Sequence, residues 1–514
     1  MGKEKIDVWG LKPIPLKVKV FDISSGTNMV VIHEETALSN DIFPSSRVLL
    51  KKGSKNLVAN VDVSKGVVKP NEIGVFSEVK SQLRLKDGDV VEIYHLPRPA
   101  SLRYIKKKMD GKQLTREEIF TIVDDTMNGL LSDIELSAFM TSIYIRDLND
   151  DETVYMTDAI VHSGDTLDIK KKPILDKHCI GGVNGRTTMI VVPIIAALGL
   201  YIPKTSSRSI TSAAGTADAM EVIAEVEFNI DEFREIVLKT KGAVVWGGGM
   251  NLAAVDDKYI RIRHPLSLDP HGMLLASILA KKKSVNATHV IVDIPYGRGA
   301  KVEDLSRAEN LAHDFIRIGK RLGMNIEALI TNGSDPIGVA FGPALETIDV
   351  LRVLEGEGPT DLKEKSCILA GKLLEMVGKA KPGEGYSIAE SVIDSGKALK
   401  KFREIVEAQG GDPKVSSDKI PVGEYTYEVV SDRTGRVSHV DNRILANIAR
   451  AAGAPRDKGA GVVLFCEHGD KVKKGEPMFR IHAESEAKLD FAIKSLEVWK
   501  PIELEKIVIS SIRE

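Results

Sequence analysis

Cysteine is nearly missing from this chain: three residues, Cys179, Cys367 and Cys466, stand far apart among 514. An odd, scattered set builds no disulfide framework and points to a reducing cytoplasm. There is no run of about 18 apolar residues and no signal-peptide core, which argues against membrane spanning and export. Excess charge is absent too. Lys+Arg 71 against Asp+Glu 73 leaves a net charge of -2, so no global basic field marks a nucleic-acid binder. The sequence Gly-x-x-x-x-Gly-Lys-Ser/Thr does not occur, which disfavours a phosphate-loop NTPase. No internal repeat or low-complexity tract is evident. What remains, 43% hydrophobic and 28% charged residues, is ordinary globular composition. It is spread over a chain too long for one core, so about three or four units are expected.

The first 95 residues have a β texture of their own. Leu16–Val20, Met29–Ile32 and Leu57–Val63 are short apolar or alternating runs parted by Gly, Asn and Ser, which predicts a small β unit. Pro97 and Pro99 mark a linker. Helical spacing of apolar residues follows through Ile119–Met127 and Ile134–Tyr144, with Thr115 and Glu118 placed as a capping box. From about Lys170, strand and helix patterns alternate, and the β-branched run Thr288–Ile294 suits a strand buried on both faces. The last hundred residues return to β texture around Gly461–Phe465 and Gly469–Pro477.

Two loops carry the chemistry. In Asp176–Val183 a lysine, Lys177, precedes the pair Gly181-Gly182; in Ser206–Asp218 the hydroxyls of Ser206, Ser207, Ser209, Thr211 and Ser212 surround Arg208, ahead of small Ala213-Ala214-Gly215. Free backbone N–H groups, hydroxyl donors and a fixed cation are what a phosphate needs. Each loop has a plainer reading, a tight turn for the first and a polar helix cap for the second. Their joint occurrence favours ligand binding by more than one anionic group. His178 stays open between a general base and a neighbour that shapes the loop. Asp269 before Pro270 reads as a helix start; as a catalytic acid it would need a carboxyl kept protonated near neutrality. Ser277 and Lys281 share a helix face. Lys301, in a glycine-rich loop after a buried strand, sits where ligands gather in open sheets. Trp246-Gly247-Gly248-Gly249 reads as a structural turn.

These residues, in this order, resemble the thymidine and pyrimidine nucleoside phosphorylase family, most closely its AMP phosphorylase branch found in archaea. The resemblance runs from about Leu102 to the C-terminus. It rests on Asp176–Val183, the Ser206–Glu221 segment, Ala276–Lys282 and the Gly469–Pro477 hairpin. The extra N-terminal β domain and Ser207-Arg208-Ser209-Ile210-Thr211-Ser212 point to the nucleotide-using branch.

The resemblance implies an α/β nucleoside phosphorylase architecture. A helical domain (96–168, completed by 250–283) faces an α/β phosphate-binding domain (169–249 and 284–412) across a cleft, with an N-terminal β domain (1–95) and a C-terminal α+β hairpin-rich module (413–514). It implies phosphorolysis of a nucleoside 5′-monophosphate, AMP with CMP and UMP left open, giving free base and ribose 1,5-bisphosphate. Asp269 would protonate the leaving base. Gly182, Ser207, Arg208, Ser209, Ile210, Thr211, Ser212, Thr216, Ser277 and Lys301 would bind AMP. Lys177, Thr188, Ser206 and Thr216 would hold phosphate, and Arg263 with Lys281 would contact the base. Phosphate is a substrate, and neither cofactor nor metal is expected. The implied partners are small molecules and further copies of the chain in a homodimer or larger assembly, without nucleic acid or membrane. Two departures stand out: Cys179 replaces a usual serine, and a thiol is a poorer donor; the Val183–Arg186 loop is shorter than in close relatives. The rivals are a pyrimidine nucleoside phosphorylase indifferent to the 5′-phosphate and a non-catalytic nucleotide-binding scaffold.

Overall fold

A computed structural model describes residues 11–209 and 212–505. The chain divides into two compact units, residues 1–163 with 254–276, and residues 164–253 with 277–514.

In the first unit, six strands close into a barrel: β1 (Ile14–Val20), β2 (Met29–His33), β3 (Arg47–Lys52), β4 (Lys55–Ser64), β5 (Glu72–Val75) and β6 (Val90–His95), in the order β1-β5-β2-β4-β3-β6. β3 and β5 were not marked by the patterning. Pairing is mixed: β1 runs parallel to β5 and antiparallel to β6. The alternating residues Leu16, Val18, Val30, Ile32, Val48 and Leu50 fill its interior, as period-2 side-chain alternation requires. Helices Ser101–Met109, Arg116–Met127, Asp133–Arg146 and Asp150–His162 follow, the last three each opened by a capping box. Lys108 and Glu152 form a buried ion pair at 2.8 Å, and Glu152 also accepts from Leu114 N at 2.9 Å. With all its acceptors engaged, that pair avoids the cost of a bare buried charge. Helix Ala254–Arg263 completes this unit's helices.

The second unit is built on parallel strands. β7 (Leu175–Cys179), β8 (Ile202–Ser206), β9 (Gly242–Trp246), β10 (His289–Tyr296) and β11 (Asn325–Asn332) form one sheet in the order β11-β10-β7 and a second of β8-β9. Val290, Ile291, Val292 and Ile294 of β10 are fully buried, as a strand covered on both faces should be. Helices Thr187–Ala197, Thr360–Met376 and Lys397–Ala408 supply the main core against these strands. The C-terminal portion adds β12 (Ala340–Phe341), β13 (Tyr425–Val430), β14 (Gly435–Val440), β15 (Gly461–Leu464), β16 (Lys471–Val472), β17 (Pro477–Ala483) and β18 (Ile502–Leu504). They form the sheets β12-β15-β17-β13 and β16-β14-β18. Helix Asn442–Ala451 buries Leu445, Ile448 and Ala449 in that core and leaves its other side facing a cavity.

Candidate active site

β7 ends in the first loop, so Lys177 lies inside the sheet and Gly181 and Gly182 leave it at φ +97°. Only glycine takes that conformation without strain. At Gly182 space demands it too: a Cβ would lie 2.3 Å from the Lys301 backbone nitrogen and 3.0 Å from Ala300 backbone carbons. The Asp176–Val183 loop and the Lys301 loop, more than a hundred residues apart in sequence, are therefore in contact. Lys177 is buried, and its Nζ donates to Thr187 Oγ1 at 2.8 Å. Thr187 and Thr188 open the helix that follows.

Around β7 the interior holds more basic than acidic side chains. Asp176, without exposed surface, accepts from Lys282 Nζ at 2.8 Å and lies 3.9 Å from Lys204 Nζ. Asp293 on β10 accepts from Thr331 Oγ1 at 2.7 Å and pairs with Lys365 Nζ at 3.1 Å. Burial lowers the Lys177 pKa, against the opposing pull of Cys179 and Asp293. Burial, then Lys282, pushes Lys204 well down. Burial works to raise Asp293, but Lys365 and Lys177 hold it below the usual carboxylate range. Burial and the neighbouring lysines 282 and 204 push His178 well below its ordinary value, which leaves a neutral imidazole. Burial, then Asp293, raises the Cys179 thiol, so it is not a thiolate. Lysines whose charged form burial disfavours are stabilised as ammonium groups by an added anion.

The second loop leaves β8 at Ser206, beside Trp246 at the end of β9. Arg208 braces the loop: it donates to both Glu221 oxygens at 2.6 and 2.8 Å and to Glu227 at 2.9 Å, and it stacks over the Trp246 ring at 4.8 Å. Trp246 is thus more than a turn residue. Asp218 Oδ2 accepts from Ser209 N at 2.7 Å and Gly215 N at 2.8 Å, drawing the loop's two ends together. Gly215 is required there, since a Cβ would lie 2.6 Å from the Ser207 carbonyl oxygen. Ser209 Oγ and Ser212 Oγ are 3.2 Å apart, and Thr216 opens the next short helix. Ser207 lies in the same loop; Ile210 and Thr211 fall outside the described residues.

Gly182, Ser212 and Lys301 line one cavity of about 930 Å³. Ser277 is buried on helix His271–Ser284, with Lys281 one turn on; Lys282 of the same helix holds Asp176. In the first unit, Arg263 Nη1 donates to Asp269 Oδ1 at 3.2 Å, so these two predicted residues are together. Sequence reasoning missed Lys204, Lys282, Asp293 and Lys365, and the cavity wall supplied by Asn442, Arg443 and Asn447. A lysine such as Lys282 within an otherwise apolar helix face was the one available signal. Among the described residues no group of three or more His, Cys, Asp or Glu is placed to hold a metal ion.

Three family models match in succession: a glycosyl transferase family helical bundle domain over residues 102–164, a glycosyl transferase family a/b domain over 171–399, and a pyrimidine nucleoside phosphorylase C-terminal domain over 436–502. The AMP phosphorylase of Thermococcus kodakarensis is 47% identical over 498 residues, which cover 96% of this chain and 99% of that one. The chain belongs to the AMP phosphorylase family. The AMP phosphorylase of Methanosarcina barkeri is likewise 47% identical, over 97% of this chain and 98% of its own length. The helical, α/β and C-terminal parts expected from the resemblance are those the family models match, and the chain is an enzyme of the pentosyltransferase kind. An anthranilate phosphoribosyltransferase from Thermus thermophilus shares the fold at a TM-score of 0.50 and 19% identity, covering 60% of this chain and 99% of that structure. No helix among the described residues is long and apolar enough to cross a membrane.

Proposed function

We propose that this enzyme catalyses the phosphorolysis of AMP. An oxygen of inorganic phosphate forms a bond to C1′ as the C1′–N9 bond breaks; the electron pair leaves with adenine, which takes up a proton. The products are adenine and ribose 1,5-bisphosphate. One observation carries the reading: Gly182 closes against Lys301 beside Ser212, so both anion-suited loops meet at one cavity. Lys177, Thr188, Ser206 and Thr216 hold phosphate; Gly182, Ser207 through Ser212, Thr216, Ser277 and Lys301 hold AMP. Asp269 supplies the proton, and Arg263 and Lys281 contact the base. The bond-breaking transition state carries oxocarbenium character, so catalysis rests on alignment of phosphate with C1′ and on charge stabilisation. The enzyme works in the cytoplasm as a homodimer or larger assembly, without cofactor or metal.

The test is incubation with AMP, with and without phosphate, and with adenosine, CMP, UMP and thymidine in parallel. Adenine release that requires phosphate and falls steeply for adenosine is expected. Release without phosphate, or equal turnover of AMP and adenosine, overturns the reading. The Asp269→Asn variant should still bind AMP while turnover falls about 100-fold or more. Binding without turnover in the unaltered enzyme would instead favour a nucleotide-binding scaffold.

A further inference from the structure

The cavity that holds Gly182, Ser212 and Lys301 has a second wall, made by the C-terminal helix Asn442–Ala451. Arg443, Ala446 and Asn447 of that helix line it, at the spacing that puts three residues on one helix face. The helix is tied to the Ser212 loop and to the segment that follows Lys301. Arg450 Nη1 donates to the Ser212 carbonyl oxygen at 3.3 Å, and Ala213 packs into the C-terminal core with Leu445 and Ala449. On the other side Arg443 donates to Glu303 at 3.0 Å, and Arg298 donates to Glu503 at 2.5 Å.

The carboxylates around this cavity are already occupied. Glu346 pairs with Arg186 and accepts from Gly342 N; Glu303 holds Arg443 and Gly299 N; Asp304 caps the helix that follows it. The Asn447 amide, half-buried on the wall, has no hydrogen-bond partner among the described residues. Five residues earlier Asn442 is buried; its Nδ2 donates to the Gly333 carbonyl oxygen at 3.5 Å, and its Oδ1 has no hydrogen-bond partner among them. Buried polar groups are normally satisfied. A free amide N–H on a helix face beside a lysine and a serine is chemically suited to a phosphoryl group.

We propose that Asn447 is a further specificity-determining residue, donating its amide N–H to the 5′-phosphate of the nucleotide, so that the C-terminal helix completes the subsite. This rests on the reading of the enzyme as an AMP phosphorylase. The test compares kcat/KM for AMP and for adenosine in the unaltered enzyme, Asn447→Ala and Asn447→Asp, with calorimetric binding of AMP and thermal melting alongside. A hydrogen bond to a charged group is worth roughly tenfold in affinity. Asn447→Ala should therefore cut the AMP to adenosine ratio about tenfold. Asn447→Asp, of the same size but anionic, should cut it further while melting near the unaltered enzyme. An equal loss on both substrates marks a merely structural role and overturns the proposal, as does an unchanged ratio in folded variants. An unaltered enzyme that does not discriminate AMP from adenosine overturns the functional reading and this inference with it.

Discussion

Replacing Gly182 with alanine tests the contact on which the site depends. The added Cβ would sit 2.3 Å from the Lys301 nitrogen, and ordinary contact begins near 3.4 Å, so the Lys301 loop has to retreat by about 1 Å. The obstructing atoms are backbone and cannot rotate away. A misplacement of about 1 Å at a substrate-positioning group costs roughly 100-fold in rate. The new residue also carries the strain of φ +97°, about 1–2 kcal/mol. Gly181→Ala separates the two effects: its φ is also +97°, yet nothing lies within 4 Å of its Cβ position. Steady-state phosphorolysis of AMP and thermal melting should therefore give different pairs of results. Gly181→Ala carries only the backbone strain and keeps its activity, whereas Gly182→Ala adds the steric cost of the clash, about 1–3 kcal/mol more, and loses about 100-fold in kcat/KM. Equal activity losses in the two, or near-normal activity in Gly182→Ala, would refute the claim that this close approach builds the site.

Lys282→Met should destabilise the enzyme by about 3–5 kcal/mol in urea denaturation, because it leaves the fully buried Asp176 carboxylate with one backbone N–H, that of Lys177 at 2.7 Å, and Lys204 3.9 Å away as its nearest cation. The double variant Asp176→Leu with Lys282→Met should regain much of that loss; additive losses would speak against a coupled pair. Asp349 offers a pH test. Burial pushes its carboxyl up from 3.8 to about 7. Stability from the neutral acid is fully present below 3.8 and lost as pH rises through about 7. Asp349→Asn should flatten the melting profile between these limits by an amount on the order of 2–4 kcal/mol. An unchanged profile would place the titration elsewhere.

Much of the fold was legible because it is written locally. The capping box at Thr115 and the β-branched run of β10 act through near neighbours, and each predicts its element without knowledge of the rest. Barrel closure was not legible: β1 pairs with β5 and β6, and such long-range register is set by packing that no short window contains. The two loops declared themselves through glycine and hydroxyl content. Lys204 and Lys365 did not, since lysine in sequence reads as exposed until a buried aspartate is placed beside it. Asn447 was invisible for a different reason. It enters the cavity from a helix more than two hundred residues beyond the loop it faces, and no spacing rule spans that interval.

The grip of Glu221, Glu227 and Trp246 on Arg208 has a consequence for acid conditions. Hydrogen bonds from Arg208 hold the Glu221 carboxyl down at about 2, so the clasp stays ionised across every pH at which an enzyme is assayed. A phosphate monoester, by contrast, passes from dianion to monoanion as pH falls through about 6. Weaker capture of nucleotide in mildly acidic buffer therefore reports the charge state of the ligand and not a loosening of its cradle.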